Sequence, residues 1–212
     1  MSTLKPSLKP RKSAVQARSA ATVEALHEAT LQVLTQQGLV RCTTTRVAER
    51  AGMSVGSLYQ YYPNRDALLA AILEKHLLWV ADTVEQVCAE LQGTSVAEMA
   101  TGLVSTLIAA KLREQAVSKA LYAIAAERGG AVLVARINAR MVGAIAAMLA
   151  TASDAHFADP GLTAAISLSA IVGPVRTLLE GNAPPAFEAA LEQETTRLLT
   201  AYLQSGTFKP GA

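Results

Sequence analysis

The chain is short of the residues that staple a fold or carry out chemistry. It has two cysteines in 212 residues, Cys42 and Cys88, with no CxxC spacing. That excludes a disulfide framework or a cysteine-rich zinc site and suits two plain thiols in a reducing cytoplasm. Its three histidines, His27, His76 and His156, lie far apart and match no zinc-ligand spacing. No nucleophile elbow, Ser/His/Asp arrangement or Gly-rich phosphate loop occurs, so neither an enzyme nor a bound cofactor is expected. Aromatic residues make up 4% and charged residues 17%. No stretch alternates as a strand would, and nothing repeats. The start of the chain is basic but lacks an apolar run of signal-peptide length. The apolar stretch Leu162–Leu179 is interrupted by Gly173, Pro174 and Arg176, so it reads as a buried helix and no membrane partner is expected.

What is present points to helices. Hydrophobic residues make up 51%, and Ala, Leu and Val supply most of them. This is enough for one large or two small domains with a real core. The net charge of +2 is unevenly placed. Residues 1–66 hold nine Lys/Arg against four Asp/Glu, a net of +5, and residues 67–212 carry a net of −3. A basic module joined to a mildly acidic one suits a reader of nucleic acid with a separate control domain.

The pattern predicts an all-α chain of about nine helices in three parts. Residues 1–16, with Lys5, Lys9, Arg11 and Lys12, form a disordered basic arm, either merely solvated or touching DNA when DNA is bound. Residues 17–76 form a DNA-binding domain and 77–212 a second domain. Helices are expected over Ala17–Gln37, ended by Gly38, and over Arg65–Leu91, which links the basic and acidic parts. Further helices are expected over Val96–Leu112, Glu114–Arg128, Ala131–Thr151, Pro160–Glu180 with a bend at Gly173-Pro174, and Ala186–Gln204.

The densest signal runs from Thr43 to Arg65. Thr43 is placed to cap a short helix, and Val47, Ala48 and Ala51 share one of its faces. Gly52 follows the last periodic residue, where a left-handed backbone suits glycine. Ser54 is the next cap, Val55–Tyr61 makes about two turns around Leu58, and Pro63 ends them before Asn64 caps the helix that follows. Two short helices joined by a tight turn commonly put the second into the major groove of DNA.

Thr43-Thr44, Val47-Ala48, Ala51-Gly52, Ser54, Gly56, Leu58-Tyr59, Tyr61-Tyr62 and Asp66-Ala67-Leu68 carry a resemblance to TetR-type (tetracycline-repressor-like) transcriptional regulators, over roughly Ala14–His76. Two positions depart from that family. Val55 stands where lysine is frequent, and Arg46 where an acid often completes a capping box. The resemblance implies a regulator, most simply a repressor, that binds a palindromic double-stranded operator as a homodimer and answers to a small effector. Thr43, Thr44, Thr45, Arg46, Ser54, Tyr59, Tyr61 and Arg65 are the expected backbone contacts. Gln60 pairs well with adenine, Val55 and Gly56 can approach a thymine methyl, and Ser57 can do either. Tyr62 reads as a core residue.

The resemblance also implies a ligand pocket in the second domain. Its candidate lining is Trp79, Met99, Leu103, Leu107, Tyr122, Met141, Ile145 and Met148, an apolar set that suits an apolar or aromatic effector. Glu127 and Arg128 either orient a polar group or pair at a helix end. The last two expected helices carry more apolar residues than a monomer buries easily. There the resemblance implies a four-helix dimer interface, with Ile171, Val175, Leu178, Leu191, Leu198 and Tyr202 as its candidates.

Overall fold

A computed structural model describes residues 17–126 and 130–205. The expected basic arm, Glu127 and Arg128 lie outside the described residues. Within them the chain forms nine α-helices and one 3-10 turn, with no strand. The helices are α1 (Ala17–Gln37), α2 (Thr44–Arg50), α3 (Val55–Tyr61), α4 (Arg65–Glu90), α5 (Val96–Leu112), α6 (Gln115–Ala125), α7 (Gly130–Leu149), α8 (Pro160–Leu179) and α9 (Phe187–Ser205). The 3-10 turn, Leu39–Arg41, was not anticipated. Gly130 opens α7 instead of breaking the chain, and α8 continues through Pro174.

The chain divides into two compact units. One holds the residues up to His76 together with Ala116–Val134, a segment outside the 17–76 span expected for the DNA-binding domain. In it α1 packs on α2, and α2 on α3. Leu26, Ala29, Val33 and Leu34 of α1, Val47 and Ala48 of α2, Leu58 of α3 and Ala67 and Leu68 of α4 are all buried. Thr30 is buried without penalty because its hydroxyl bonds to the Leu26 carbonyl at 2.6 Å. Lys75 ties α4 to Glu24 of α1, and the ammonium holds that carboxyl below its ordinary range.

The second unit holds Leu77–Gln115 and the chain from Ala135 onward. In it α5 packs against α9 and α8, and α8 against α9. A capping box starts α5: Ser95 accepts from the Glu98 amide, and the Glu98 carboxylate accepts from the Ser95 amide at 2.9 Å. Asp154 reaches back from the α7–α8 loop to the Val96 amide at 2.8 Å. Asp159 caps α8, and Pro160 fills its first position, where no amide is missed. By length and composition alone α7 and α8 are apolar enough to cross a membrane. Here α8 spends Ala164, Leu168, Ile171, Val175 and Leu179 inside the unit.

That packing sorts the expected dimer-face residues by exposure. Ile171, Val175 and Leu191 are buried within their own chain. Leu178 and Tyr202 are half-buried, and Leu198 stays 55% exposed. The apolar residues left outside on α8 are Leu162 and Ile166, one turn apart, at 59% and 42% exposure.

Candidate nucleic-acid interface

The interface is built from caps. Thr43 sits in extended backbone, and its hydroxyl accepts from the Arg46 amide at 3.3 Å, starting α2. Val47 and Ala48 turn inward, so Thr43, Thr45 and Arg46 face solvent at the end of the helix where free amides and the positive dipole lie. At the other end Gly52 adopts φ +68°, the Met53 amide bonds to the Ala48 carbonyl at 2.9 Å, and the Gly52 amide bonds to Glu49 at 3.1 Å. This pairing closes a helix in a left-handed turn, which an alanine at position 52 would strain.

Two residues later Ser54 caps α3, accepting from the Ser57 amide at 3.0 Å, and the two serine hydroxyls bond at 2.9 Å. Leu58 is the buried residue of α3. Gly56, Tyr59 and Gln60 are exposed, and Val55, Ser57 and Tyr61 half-exposed. Tyr59 leans back to α2, its hydroxyl 3.2 Å from that of Thr44, so both short helices share one outward face.

The C-terminal end of α3 is tied down by Tyr62. Its ring is buried and its hydroxyl lies 2.6 Å from Nε2 of His27 on α1. Burial pushes the Tyr62 phenol up to about 12 and pulls His27 below its ordinary value, with the Lys75 charge adding to the latter. Nδ1 of His27 is buried and meets no hydrogen-bond partner among the described residues. A protonated ring would therefore leave a charged N–H unsatisfied in the core. The folded pKa lies below the unfolded one, so this contribution is complete above the unfolded value of about 6.5 and is lost as pH falls toward the folded value. Thermal unfolding followed from pH 7.5 to pH 5 will show the wild type losing stability through this window. His27→Gln, which keeps a partner for Tyr62 without a titrating ring, will lose less, and parallel curves for the two would contradict the assignment. By spacing alone the histidines read only as residues that match no zinc site. The signal available was His27 standing beside Leu26 and Thr30 on the inner stripe of α1.

The expectation for Arg65 is revised. Its Nε donates to the Cys42 carbonyl and one terminal nitrogen to the Leu39 carbonyl, both at 2.7 Å, while its other terminal nitrogen stands 3.9 Å from Asp66. The guanidinium lies half-buried against the turn in front of α2. Arg46 remains exposed and donates to the Arg41 carbonyl at 3.1 Å. Sequence reasoning also missed the turn itself, which presents Val40 at 93% exposure beside an exposed Arg41.

The candidate pocket residues are dispersed differently. Met99, Leu103, Leu107, Met141, Ile145 and Met148 are buried core of the second unit, whereas Tyr122 belongs to the first. Trp79 is partly exposed, with the Arg113 guanidinium 5.8 Å from its ring centre. Lys111 prolongs the α5 row of Met99, Leu103 and Leu107 by one more turn, and burial lowers its amine to about 8. An open hollow of about 550 Å³ lies instead at the α8–α9 turn, lined by Leu178, Ala183, Pro184, Phe187 and neighbours and by none of the eight candidates.

Residues 95–203, just over half of the chain, match the family described as tetracyclin repressor-like, C-terminal domain, and residues 26–72 match bacterial regulatory proteins, tetR family. The chain belongs to the TetR family. The residues matched to the bacterial regulatory proteins of this family include α2 and α3, its helix-turn-helix. Among proteins similar to this TetR-family chain is the HTH-type transcriptional regulator BetI of Paraburkholderia phymatum, 38% identical over 69 residues, which are 32% of this chain and 35% of BetI. The nucleoid occlusion factor SlmA of Haemophilus ducreyi is 34% identical over 71 residues, 33% of each. The chain thus spans about a third of the length of these curated relatives. Among solved structures, SmeT, the repressor of the Stenotrophomonas maltophilia multidrug efflux pump SmeDEF, superposes with a TM-score of 0.66 at 18% identity, over 90% of this chain and 94% of its own. SmeT has also been solved with triclosan, with a TM-score of 0.66 at 20% identity over 91% and 96% of the two chains. At such identities the likeness is one of fold.

Proposed function

We propose that this TetR-family regulator is a cytoplasmic repressor that binds a palindromic operator as a homodimer and is released by a small apolar or aromatic effector. The observation that carries the reading is the anchoring of α3. It is capped by Ser54, held inside by Leu58 and tied at its end through Tyr62, so its outer row is left for base edges. In this reading Thr43, Thr44, Thr45, Arg46, Ser54, Tyr59 and Tyr61 meet the phosphates, and Val55, Gly56, Ser57 and Gln60 meet the bases. Two copies joined through the outer faces of α8 and α9 would carry two α3 helices, and half-sites one helical turn apart, about 34–36 Å, answer that symmetry. Leu162, Ile166 and Leu198 supply the exposed apolar surface for the contact.

Release follows from linkage. An effector that binds a DNA-incompetent conformer more tightly lowers operator affinity, and a thousandfold change requires about 4 kcal/mol of differential binding. The buried apolar face around Met99, Leu103, Leu107, Met141, Ile145 and Met148, opened in a minor conformer, suits an apolar or aromatic compound. The triclosan complex of SmeT is an instance of an aromatic ligand on a chain of this fold.

Selection of genomic fragments with purified protein, followed by gel shift at moderate salt, tests the reading. Enrichment of a palindrome supports it. Binding that is uniform over sequence, or no enrichment, would count against a specific repressor. On the enriched duplex, Gln60→Ala will relax discrimination at one base pair of each half-site by about 1–3 kcal/mol. Unchanged discrimination at every position would remove Gln60 from the bases.

A further inference from the structure

We infer that Arg65 serves DNA binding as a positioning residue, locking the Leu39–Cys42 turn in front of α2, and does not itself contact phosphate. The inference rests on the DNA-binding reading above and specifies how one end of that site is held.

The turn needs such a lock. Gly38 adopts φ +78° after α1, and the three residues of the 3-10 turn bury none of their side chains. Cys42 is buried at its end, but Val40 and Arg41 are exposed, so the carbonyls of the turn are fixed in direction by hydrogen bonds. Its internal bonds run from the Cys42 amide to the Leu39 carbonyl at 3.2 Å and from the Thr43 amide to the Arg41 carbonyl at 3.0 Å. The Cys42 carbonyl precedes the first helical residue of α2 and has no place in its ladder. Arg65 supplies what is missing. One planar guanidinium reaches both the Cys42 and the Leu39 carbonyls at 2.7 Å, 23 and 26 residues away in sequence. Arg46 takes the carbonyl between them, that of Arg41. Three of the four carbonyls from Leu39 to Cys42 are thus held by arginine.

What is held is the approach to the α2 N-terminus. Thr43, the cap of α2, follows Cys42 directly, so the direction of the Cys42 peptide sets where the cap hydroxyl and the free amides of the first turn point. A phosphate bound there is sensitive to displacements of a few tenths of an ångström, because hydrogen bonds weaken steeply with angle and distance. Two of its five N–H donors go to these carbonyls, and its other terminal nitrogen stands 3.9 Å from the Asp66 carboxylate, whose charge disfavours a phosphate beside it. A lysine in its place has no fork and cannot span two carbonyls in the same way.

The test compares Arg65→Lys and Arg65→Gln with the wild type on the palindromic duplex recovered by selection. Both variants will bind at least tenfold more weakly, with the slope of log affinity against log salt unchanged. Hydrogen exchange of the free proteins, well below their melting temperature, will show faster exchange at Cys42–Val47 in both variants, with α1 and the second unit protected as before. The inference is overturned if Arg65→Lys binds within threefold of the wild type. It is equally overturned if Arg65→Gln flattens the salt slope by about one per half-site, the signature of a lost phosphate contact, or if exchange at Cys42–Val47 is unchanged. The exchange arm needs no DNA, so it judges the lock even where the wild type enriches no duplex, an outcome that would instead sink the operator reading.

Discussion

Leu58→Ala will cost the first unit about 2–5 kcal/mol, a large part of the stability of a small domain. Leu58 is fully buried, and it is the buried residue of a seven-residue helix. A helix so short has almost no stability of its own. Its remaining attachments are the Ser54 cap at one end, the Tyr59 hydroxyl against Thr44 of α2, and the Tyr62–His27 bond at the other end. Truncating Leu58 leaves a cavity that the caps cannot close, because they fix the ends and not the middle. Chemical denaturation followed by circular dichroism measures the loss. Operator binding should fall even where the protein is still folded, because a loosened α3 no longer presents Tyr59 and Gln60 as one surface. A cost below about 1 kcal/mol would mean that α3 is held chiefly by its ends.

The second large effect concerns association. Ile166→Glu combined with Leu198→Glu will convert the proposed dimer to monomers and lower operator affinity by at least a hundredfold. Both positions are exposed in the single chain, at 42% and 55%, so the fold itself should lose little. In a dimer the same carboxylates would be buried against apolar surface without partners, which is costly. A monomer engages one half-site and forfeits the gain of a tethered second contact, commonly 10²–10⁴ in affinity. Light scattering on a sizing column, paired with gel shift, reads both quantities. A dimer that survives the double substitution would place the interface elsewhere.

Much of this architecture was legible because the chain punctuates its helices with side chains of known preference. Gly38 after α1, Thr43 and Ser54 as caps, Gly52 in the tight turn and Asp159-Pro160 before α8 each act through neighbours a few residues away. The ends of α1, α3 and α5 follow from such local chemistry. Less legible was everything that depends on distant partners. Apolar spacing on α8 marks residues that avoid water but not what covers them, so Ile171 and Val175, spent inside the unit, looked the same as Ile166, left outside. The pocket candidates share this ambiguity: Met99 and Leu103 are buried, and spacing alone does not separate the lining of a pocket from packed core. Arg65 was assigned by its place at a helix start. Its hydrogen bonds go to carbonyls on a three-residue turn, too short to show a period in the sequence.

Both thiols of this chain are buried, and burial pushes Cys88 up to about 12 and holds Cys42 above its ordinary value. Thiolate, the reactive form, is scarce at both. The expected outcome is slow labelling of the folded protein by maleimides and spin labels without removing either cysteine. A single cysteine placed at Val40, on the outermost point of the pinned turn, would take up label selectively. In a two-fold assembly it would supply a pair of probes, one beside each DNA-facing surface. The separation between them, read by double electron–electron resonance with and without an added effector, becomes a molecular ruler for the switch.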